Sequence, residues 1–225
     1  MLDQFMSWLG LGLCHQLPER SFFGGGIQLP VCSRDTGIYL GFLFAFLLLW
    51  ALHRNERPTR FPGIHVWIVM AVYLAAMAWD GVSSYAGLRT TTNVLRLVTG
   101  LGVGVSAATV VYPMLQDALW RSAGRGRVLE PAWRFGVWLL LVPVSFAIIW
   151  WGGPLLGVVY PVLVAAAIIF TVASIDLVIV GMFPMFDRKA ERFVDLLPAI
   201  IVATVLALAM IAGAAWLRVW LDTLV

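Results

Sequence analysis

The sequence contains few charged residues. Asp, Glu, Lys and Arg make up 12% of its 225 residues, whereas a soluble domain usually has about 25%. Hydrophobic residues reach 61% and the mean hydropathy is +0.92, so the composition excludes a soluble globular domain. The basic residues lie in short segments between apolar runs, which excludes a nucleic-acid-binding surface.

Cysteine and histidine are scarce and unevenly placed. Both cysteines and one of the three histidines fall in residues 14–37, CHQLPERSFFGGGIQLPVCSRDTG, hereafter the polar stretch. No Lys-Ser or Lys-Thr pair follows its glycines, so this glycine-rich segment is not a P-loop. If the protein performs chemistry, the composition indicates that this stretch carries it.

The apolar runs predict an all-α, polytopic membrane protein with one membrane domain over residues 1–225. Six runs are long enough for a membrane span, which takes about 20 helical residues. Residues 1–13 have apolar side chains at helical spacing and predict a short interfacial helix. Asp3 stands where a cleavable signal peptide would be basic, so none is expected. The predicted spans are residues 36–52, 64–79, 93–116, 133–151, 155–182 and 198–220.

The basic residues predict the orientation. Segments 53–63, 120–131 and 183–197 share one side of a six-span bundle and hold nine of the 15 Lys and Arg residues. Basic loops favour the cytoplasmic side. We therefore expect a protein of the cytoplasmic membrane, with the polar stretch and both termini on the non-cytoplasmic side.

The polar stretch contains four candidate metal ligands, namely Cys14, His15, Cys32 and Asp35. Thiolates, imidazole and carboxylate are the ligands that Zn²⁺ binds in proteins. However, Cys14 and His15 are adjacent, and neighbouring side chains do not readily converge on one ion. The alternative is a disulfide between Cys14 and Cys32 on the oxidising side of a membrane. The residue types alone leave zinc, or a similar divalent metal, and the disulfide both open.

The segments CHQLPERSFF and PVCSRDTGIYLG, together with AWDG and TTNVLRLVTG, resemble a family of predicted bacterial membrane proteins, domain of unknown function DUF2085. The resemblance covers about the first half of the chain. The family pattern is CHxxPxRSF followed by PxCxRCTGIYxG, and Asp35 stands here where the family usually has a second cysteine. A carboxylate can replace a thiolate on a metal but cannot form a disulfide. The resemblance therefore favours metal binding and implies no particular activity.

A polar helix face is expected on the same side of the membrane. Asn93, Arg96, Gly100 and Gly104 fall on one face of the third predicted span. The glycines would allow another backbone, or a lipid-like chain, to approach closely. The alternative is that Asn93 and Arg96 only begin the helix, with Arg96 snorkelling to water.

Arginine side chains on this side predict an anion site, because guanidinium groups suit phosphate and carboxylate. The alternative is that nearby acidic residues neutralise them. Asp80 and Glu19 are the candidate general bases. The expected anion-binding residues are Arg20, Arg34, Asn93 and Arg96.

These features predict a metal-dependent membrane enzyme that acts on an anionic or lipid-linked small molecule at the outer leaflet. Three alternatives stay open: a quinone-linked thiol–disulfide oxidoreductase using Cys14 and Cys32, a transporter, and a non-catalytic subunit of a larger membrane complex. A transporter needs a polar path, for which Asp176 is the only deep candidate. The other interpretation of Asp176 is a hydrogen bond to the hydroxyl of Ser174 or Thr171.

Overall fold

The computed structural model describes residues 1–224. Six helices in that range are long and apolar enough to cross a membrane, and a shorter helix, α1 (Leu2–Leu11), precedes them. The predicted all-α membrane fold, with about six spans and a short N-terminal helix, is confirmed. A π-helical turn at Ile148–Gly152 and a 3₁₀ turn at Gly153–Leu156 prolong α5, and a 3₁₀ turn at Phe193–Leu196 leads into α7. The other helices are α2 (Ser33–His53), α3 (Ile64–Tyr85), α4 (Asn93–Leu119), α5 (Ala132–Ala147), α6 (Val159–Gly181) and α7 (Leu197–Asp222).

Two helices are longer than their apolar runs predicted. α2 begins at Ser33 instead of residue 36, with Asp35 in its first turn, where a carboxylate interacts favourably with the helix dipole. α3 continues to Tyr85 instead of residue 79. Its added turn contains Asp80 and Ser83, which are both buried and hydrogen-bonded. Polar residues can therefore continue a span where the bundle supplies partners for them.

The polar stretch contains a β-hairpin that the sequence analysis did not predict. β1 (Ser21–Gly24) pairs antiparallel with β2 (Ile27–Cys32). Gly25 and Gly26 connect the strands with φ values of 58° and 81°, a backbone that favours glycine at both positions of a two-residue turn. Because β2 packs against α1 and α6, the hairpin holds Cys32 against the bundle.

α2 and α4 form the closest helix pair. A Cβ added at Gly100 would lie 2.0 Å from the carbonyl oxygen of Arg34, and one at Gly104 would lie 2.1 Å from that of Ile38. Small residues four apart let two helix backbones meet in this way. The glycines of α4 therefore do admit another backbone, and it is that of α2. This contact brings Arg34 close to Arg96, which lies one turn before Gly100.

The three basic segments lie together at one end of the bundle. β3 (Pro58–Arg60) pairs in parallel with β4 (Gly124–Arg127), and Ala190 forms an isolated bridge to Trp120. We call this the basic end, and the opposite end, which carries the hairpin, the cysteine end. The grouping agrees with the alternation of spans that the sequence predicted.

A polar network at the basic end joins α2 to α5. The backbone N–H of Leu129 donates to Nε2 of the buried His53 at 3.2 Å, and Nδ1 of His53 lies 3.0 Å from both Oε2 of Glu56 and Nη1 of Arg134. Arg134 donates to the two carboxylate oxygens of Glu56 at 2.5 and 2.6 Å. This hydrogen bonding by Arg134 lowers the pKa of Glu56 to about 2.

We expect Glu56→Gln to lower the melting temperature at pH 7, by about 2–4 °C for each kcal/mol lost. The folded-state pKa lies below the unfolded one, so the carboxylate stabilises the fold fully above about pH 4.5, and this contribution declines as the pH falls towards 2. The difference in melting temperature between variant and parent should therefore be smaller at about pH 3.5 than at pH 7. Glu191→Gln is the control, because its ion pair with Arg121 is exposed. If the difference in melting temperature were the same at both pH values, the ionised Glu56 carboxylate would not be the source of the stabilisation.

Candidate metal and anion site

Three of the candidate ligands converge at the cysteine end. Sγ of Cys14, Sγ of Cys32 and a carboxylate oxygen of Asp35 all lie within 4.8 Å of one another. Cys32 ends β2 and Asp35 lies in the first turn of α2, so one strand–helix junction supplies both, with Sγ and Oδ2 3.3 Å apart. Ligand atoms on a tetrahedral zinc are about 3.3–3.8 Å apart. The cluster therefore needs little contraction to hold an ion.

His15 lies outside this cluster. Its side chain is exposed, although it lines the same cavity as the three ligands. Cys14 and His15 are consecutive, and only Cys14 contributes a ligand atom to the group. The arrangement thus brings together three of the four predicted ligands, with His15 at their border.

Both cysteines are free, and their Sγ atoms lie within 4.8 Å of each other. Interaction between the neighbouring thiols lowers the pKa of Cys14 to about 7 and raises the pKa of Cys32. The backbone N–H of Cys32 also donates to Sγ of Cys14 at 3.3 Å. Cys14 is therefore the sulfur that loses its proton first.

Two side chains that the sequence analysis missed hold the segment around Cys14. Arg218, near the end of α7, donates to the carbonyl oxygens of Leu11 at 2.9 Å and Cys14 at 3.0 Å. The side-chain amide of Gln16 donates to the carbonyl oxygens of Ser7 and Pro30, both at 2.8 Å. No sequence pattern connects Arg218 with Cys14, because 204 positions separate them. Together these contacts fix the backbone that positions the first thiol.

Asp80 joins α3 to α2 through charged hydrogen bonds. One of its oxygens accepts a hydrogen bond from Arg34. The other accepts from Arg89 at 2.6 Å and from Thr91 at 2.7 Å. The side chain is 1% exposed and lies behind Arg34 as seen from the cavity. This environment favours an anchoring role over the general-base role expected from the sequence.

Arg96 turns into the protein and does not snorkel. It is 8% exposed, and its guanidinium donates to Oδ1 of Asn93 at 3.2 Å. Asn93 in turn donates to the backbone carbonyl of Glu19 at 3.1 Å. Within residues 1–224, no carboxylate forms an ion pair with Arg96. Arg96 also lines the two cavities described below, so its remaining N–H groups are available to an anion there.

Most of the predicted site residues surround two adjoining cavities. The first, of about 520 Å³, has the three converging ligands and His15 on its wall, together with Arg20, Arg34 and Arg96. The second, of about 540 Å³, shares Arg20 and Arg96 with the first and adds Glu19 and Asn93. The structure thus combines the predicted metal and anion residues in one place, with Asp80 beside it.

Asp176 takes no part in this site. It is buried in α6, and its Oδ2 has no hydrogen-bond partner among the residues that the structure describes. The hydroxyl of Thr171, one of its two expected partners, donates instead to the carbonyl of Ala167 at 2.8 Å.

Comparison with known proteins supports a family assignment. Residues 14–110 match the family described as predicted membrane protein (DUF2085). An uncharacterized protein of Methanothermobacter thermautotrophicus is 37% identical over 102 residues, which cover 44% of this chain and 83% of the relative. The chain belongs to the DUF2085 family. A second relative, an uncharacterized protein of Methanocaldococcus jannaschii, is 31% identical over 109 residues, or 48% of this chain and 67% of the relative.

The DUF2085 match contains every site residue that the sequence predicted. It runs from Cys14 into α4, whereas α5, α6, α7 and therefore Arg218 lie outside it. Both relatives are archaeal, so they do not support the expected bacterial character. No solved structure matches the chain.

Proposed function

We propose that this integral membrane protein binds a divalent metal, most suitably zinc, at its cysteine end. The observation that carries the proposal is the convergence of Cys14, Cys32 and Asp35 within 4.8 Å. Two thiolates and a carboxylate form a donor set that zinc accepts. Arg218 and Gln16 support it as outer contacts, which commonly orient metal ligands.

Three protein ligands fit an open site. Catalytic zinc sites keep three protein ligands and a water or substrate in the fourth position, whereas structural sites use four. Such an ion supplies a polarising charge and an activated water when bound. The exposed His15 lines the same cavity, so it would either supply a fourth ligand or move protons beside the ion.

The arginines support an anionic substrate. Arg34 and Arg96 line the same cavity as the ligands and would orient an anionic group beside them. Glu19 is the more accessible candidate base, since its side chain is 67% exposed and its ion pair with Arg20 is long, at 3.8 Å. Metal-assisted hydrolysis of an anionic substrate is the reaction class that these residues favour.

The proposal is tested by elemental analysis of protein that has never met a chelator, with a non-reducing thiol count on the same sample. We expect about one divalent ion per chain and two thiols that react once the metal is removed. A second candidate is a quinone-linked thiol–disulfide oxidoreductase, in which Cys14 and Cys32 form a disulfide and give two electrons and two protons to a membrane quinone, which becomes a quinol. Two free thiols within 4.8 Å of each other favour it. Metal-free protein with a Cys14–Cys32 disulfide would replace the first proposal with the second.

We also propose that the cysteine end faces the non-cytoplasmic side of the membrane. The clustering of the basic segments at the other end supports this orientation. Cysteines introduced at Arg125 and at Thr223 mark the two ends. In intact cells, a membrane-impermeant maleimide should label position 223 and should label position 125 only after lysis. Labelling of position 125 in intact cells would reverse the orientation.

A further inference from the structure

An opening lies between α2 and α3 at the cysteine end. α3 packs mainly on α4, and the ion pair between Arg34 and Asp80 ties it to α2. Beside this ion pair, a groove of about 660 Å³ runs along α3. It is lined by Arg34 and by Met77, Ala78, Gly81, Val82, Tyr85 and Ala86.

The groove adjoins the cavity that holds the candidate ligands. Arg34, Gly81 and Tyr85 line both spaces. The cavity is lined by charged and polar side chains as well as apolar ones, whereas the groove is mainly apolar apart from Arg34. Val82 is 66% exposed and Tyr85 is 83% exposed, so the groove opens on the surface that a membrane span presents to lipid. A molecule with a polar head and an apolar tail fits this succession of surfaces.

Gly81 lies where the two spaces meet. A Cβ added there would contact only Nη1 of Arg34, at 3.7 Å, which is an ordinary van der Waals distance. Helix packing therefore does not require glycine here, in contrast to Gly100, and glycine inside a helix is destabilising relative to alanine. The glycine instead keeps the passage between the cavity and the groove wide, because a larger side chain at position 81 would narrow that passage.

The charges of the cavity select an anionic head group. Three arginines line it, against Asp35 as the one carboxylate among the lining residues that the structure describes. Asp80 pairs with Arg34 from outside the cavity, so the balance remains positive. Arg96 is buried with a neutral partner, and Nε of Arg34 is buried with none within residues 1–224. Guanidinium groups bind phosphate through paired charge-assisted hydrogen bonds.

We propose that the ligand is a membrane lipid with a phosphate head group, which enters sideways from the bilayer between α2 and α3. The phosphate lies against Arg34 and Arg96, next to the cluster of Cys14, Cys32 and Asp35. The hydrocarbon chain follows the groove past Gly81 and Ala78. The proposal rests on the proposed function for any use of the metal, whereas binding itself depends on the arginines and the groove.

The test compares three probes on the purified, metal-containing full chain in detergent. They are dioctanoyl phosphatidic acid, inorganic phosphate and the neutral dioctanoylglycerol, with binding followed by calorimetry. We expect phosphatidic acid to bind at least about tenfold more tightly than either of the others, because only it engages both surfaces. Arg96→Gln should weaken phosphatidic acid and phosphate alike.

Ala78→Trp is the decisive variant, because Ala78 lines the groove but not the cavity. It should weaken phosphatidic acid about tenfold and leave phosphate binding and metal content unchanged. Gly81→Leu, where the groove meets the cavity, should also weaken the binding of phosphatidic acid. Gly213→Trp is the matched control, since Gly213 is exposed on α7 with open space around it.

Two results would overturn the lipid proposal: phosphatidic acid binding no better than phosphate, or binding that neither Ala78→Trp nor Gly81→Leu changes. Failure of the metal proposal looks different. Protein without metal that still binds phosphatidic acid in a groove-dependent way would refute the metal site and keep the lipid site.

Discussion

Replacing either cysteine with alanine is expected to abolish binding of the proposed metal. Each change leaves two of the three converging ligands, and the loss of one thiolate should weaken zinc on the order of 10²–10³-fold. Asp35→Ala should have a smaller effect, about tenfold, because water replaces a carboxylate more readily than a thiolate. Competition with a chromogenic chelator measures these affinities, and elemental analysis measures the content.

His15→Ala is the matched variant for the cysteine substitutions. His15 is exposed and lies outside the cluster, so its loss should leave metal affinity unchanged if the site has three protein ligands. A loss as large as that of Cys14→Ala would make His15 the fourth ligand and the site a closed, structural one. Equal melting temperatures of the metal-free parent and variants would show that the variants act on the metal and not on the fold.

The spans were predictable because each is a long apolar segment, and hydropathy reports that property directly. The hairpin was not predictable, because β1 and β2 are short and are interrupted by Pro30 and by glycines. Its stability comes from packing on α1 and α6, and α6 is distant in sequence. Helix ends were missed for a related reason: Asp80 extends α3 only because two arginines and Thr91 surround its carboxylate.

For the site, residue type identified the cysteines and Asp35, since few side chains in this chain have comparable chemistry. The direction of each side chain was not accessible from the sequence. Thus His15 stands beside the cluster, Asp80 is engaged by arginines, and Arg96 turns inward to Asn93. Arg218 carried no signal at all, because a single arginine near a span end normally indicates an interfacial anchor.

Gly100→Ala is expected to damage both the fold and the site, although it adds only one methyl group. The new Cβ would lie 2.0 Å from the carbonyl oxygen of Arg34 and 3.0 Å from its carbonyl carbon. These are backbone atoms, so rotation of a side chain cannot relieve the clash, and α2 must move away from α4. Overpacking of this kind typically costs about 1–3 kcal/mol, or roughly 2–4 °C in melting temperature per kcal/mol.

The matched control for Gly100→Ala is Gly213→Ala, which should have the opposite sign. Gly213 lies within α7 and a Cβ there meets nothing within 4 Å, so alanine should stabilise the helix by roughly 0.5–1 kcal/mol. The clash at Gly100 also displaces Arg34, whose helix carries Asp35. Gly100→Ala should therefore weaken metal binding as well as lower the melting temperature, while Gly213→Ala leaves metal binding unchanged. If both variants melt alike, the close contact of α2 and α4 does not hold the cysteine end together.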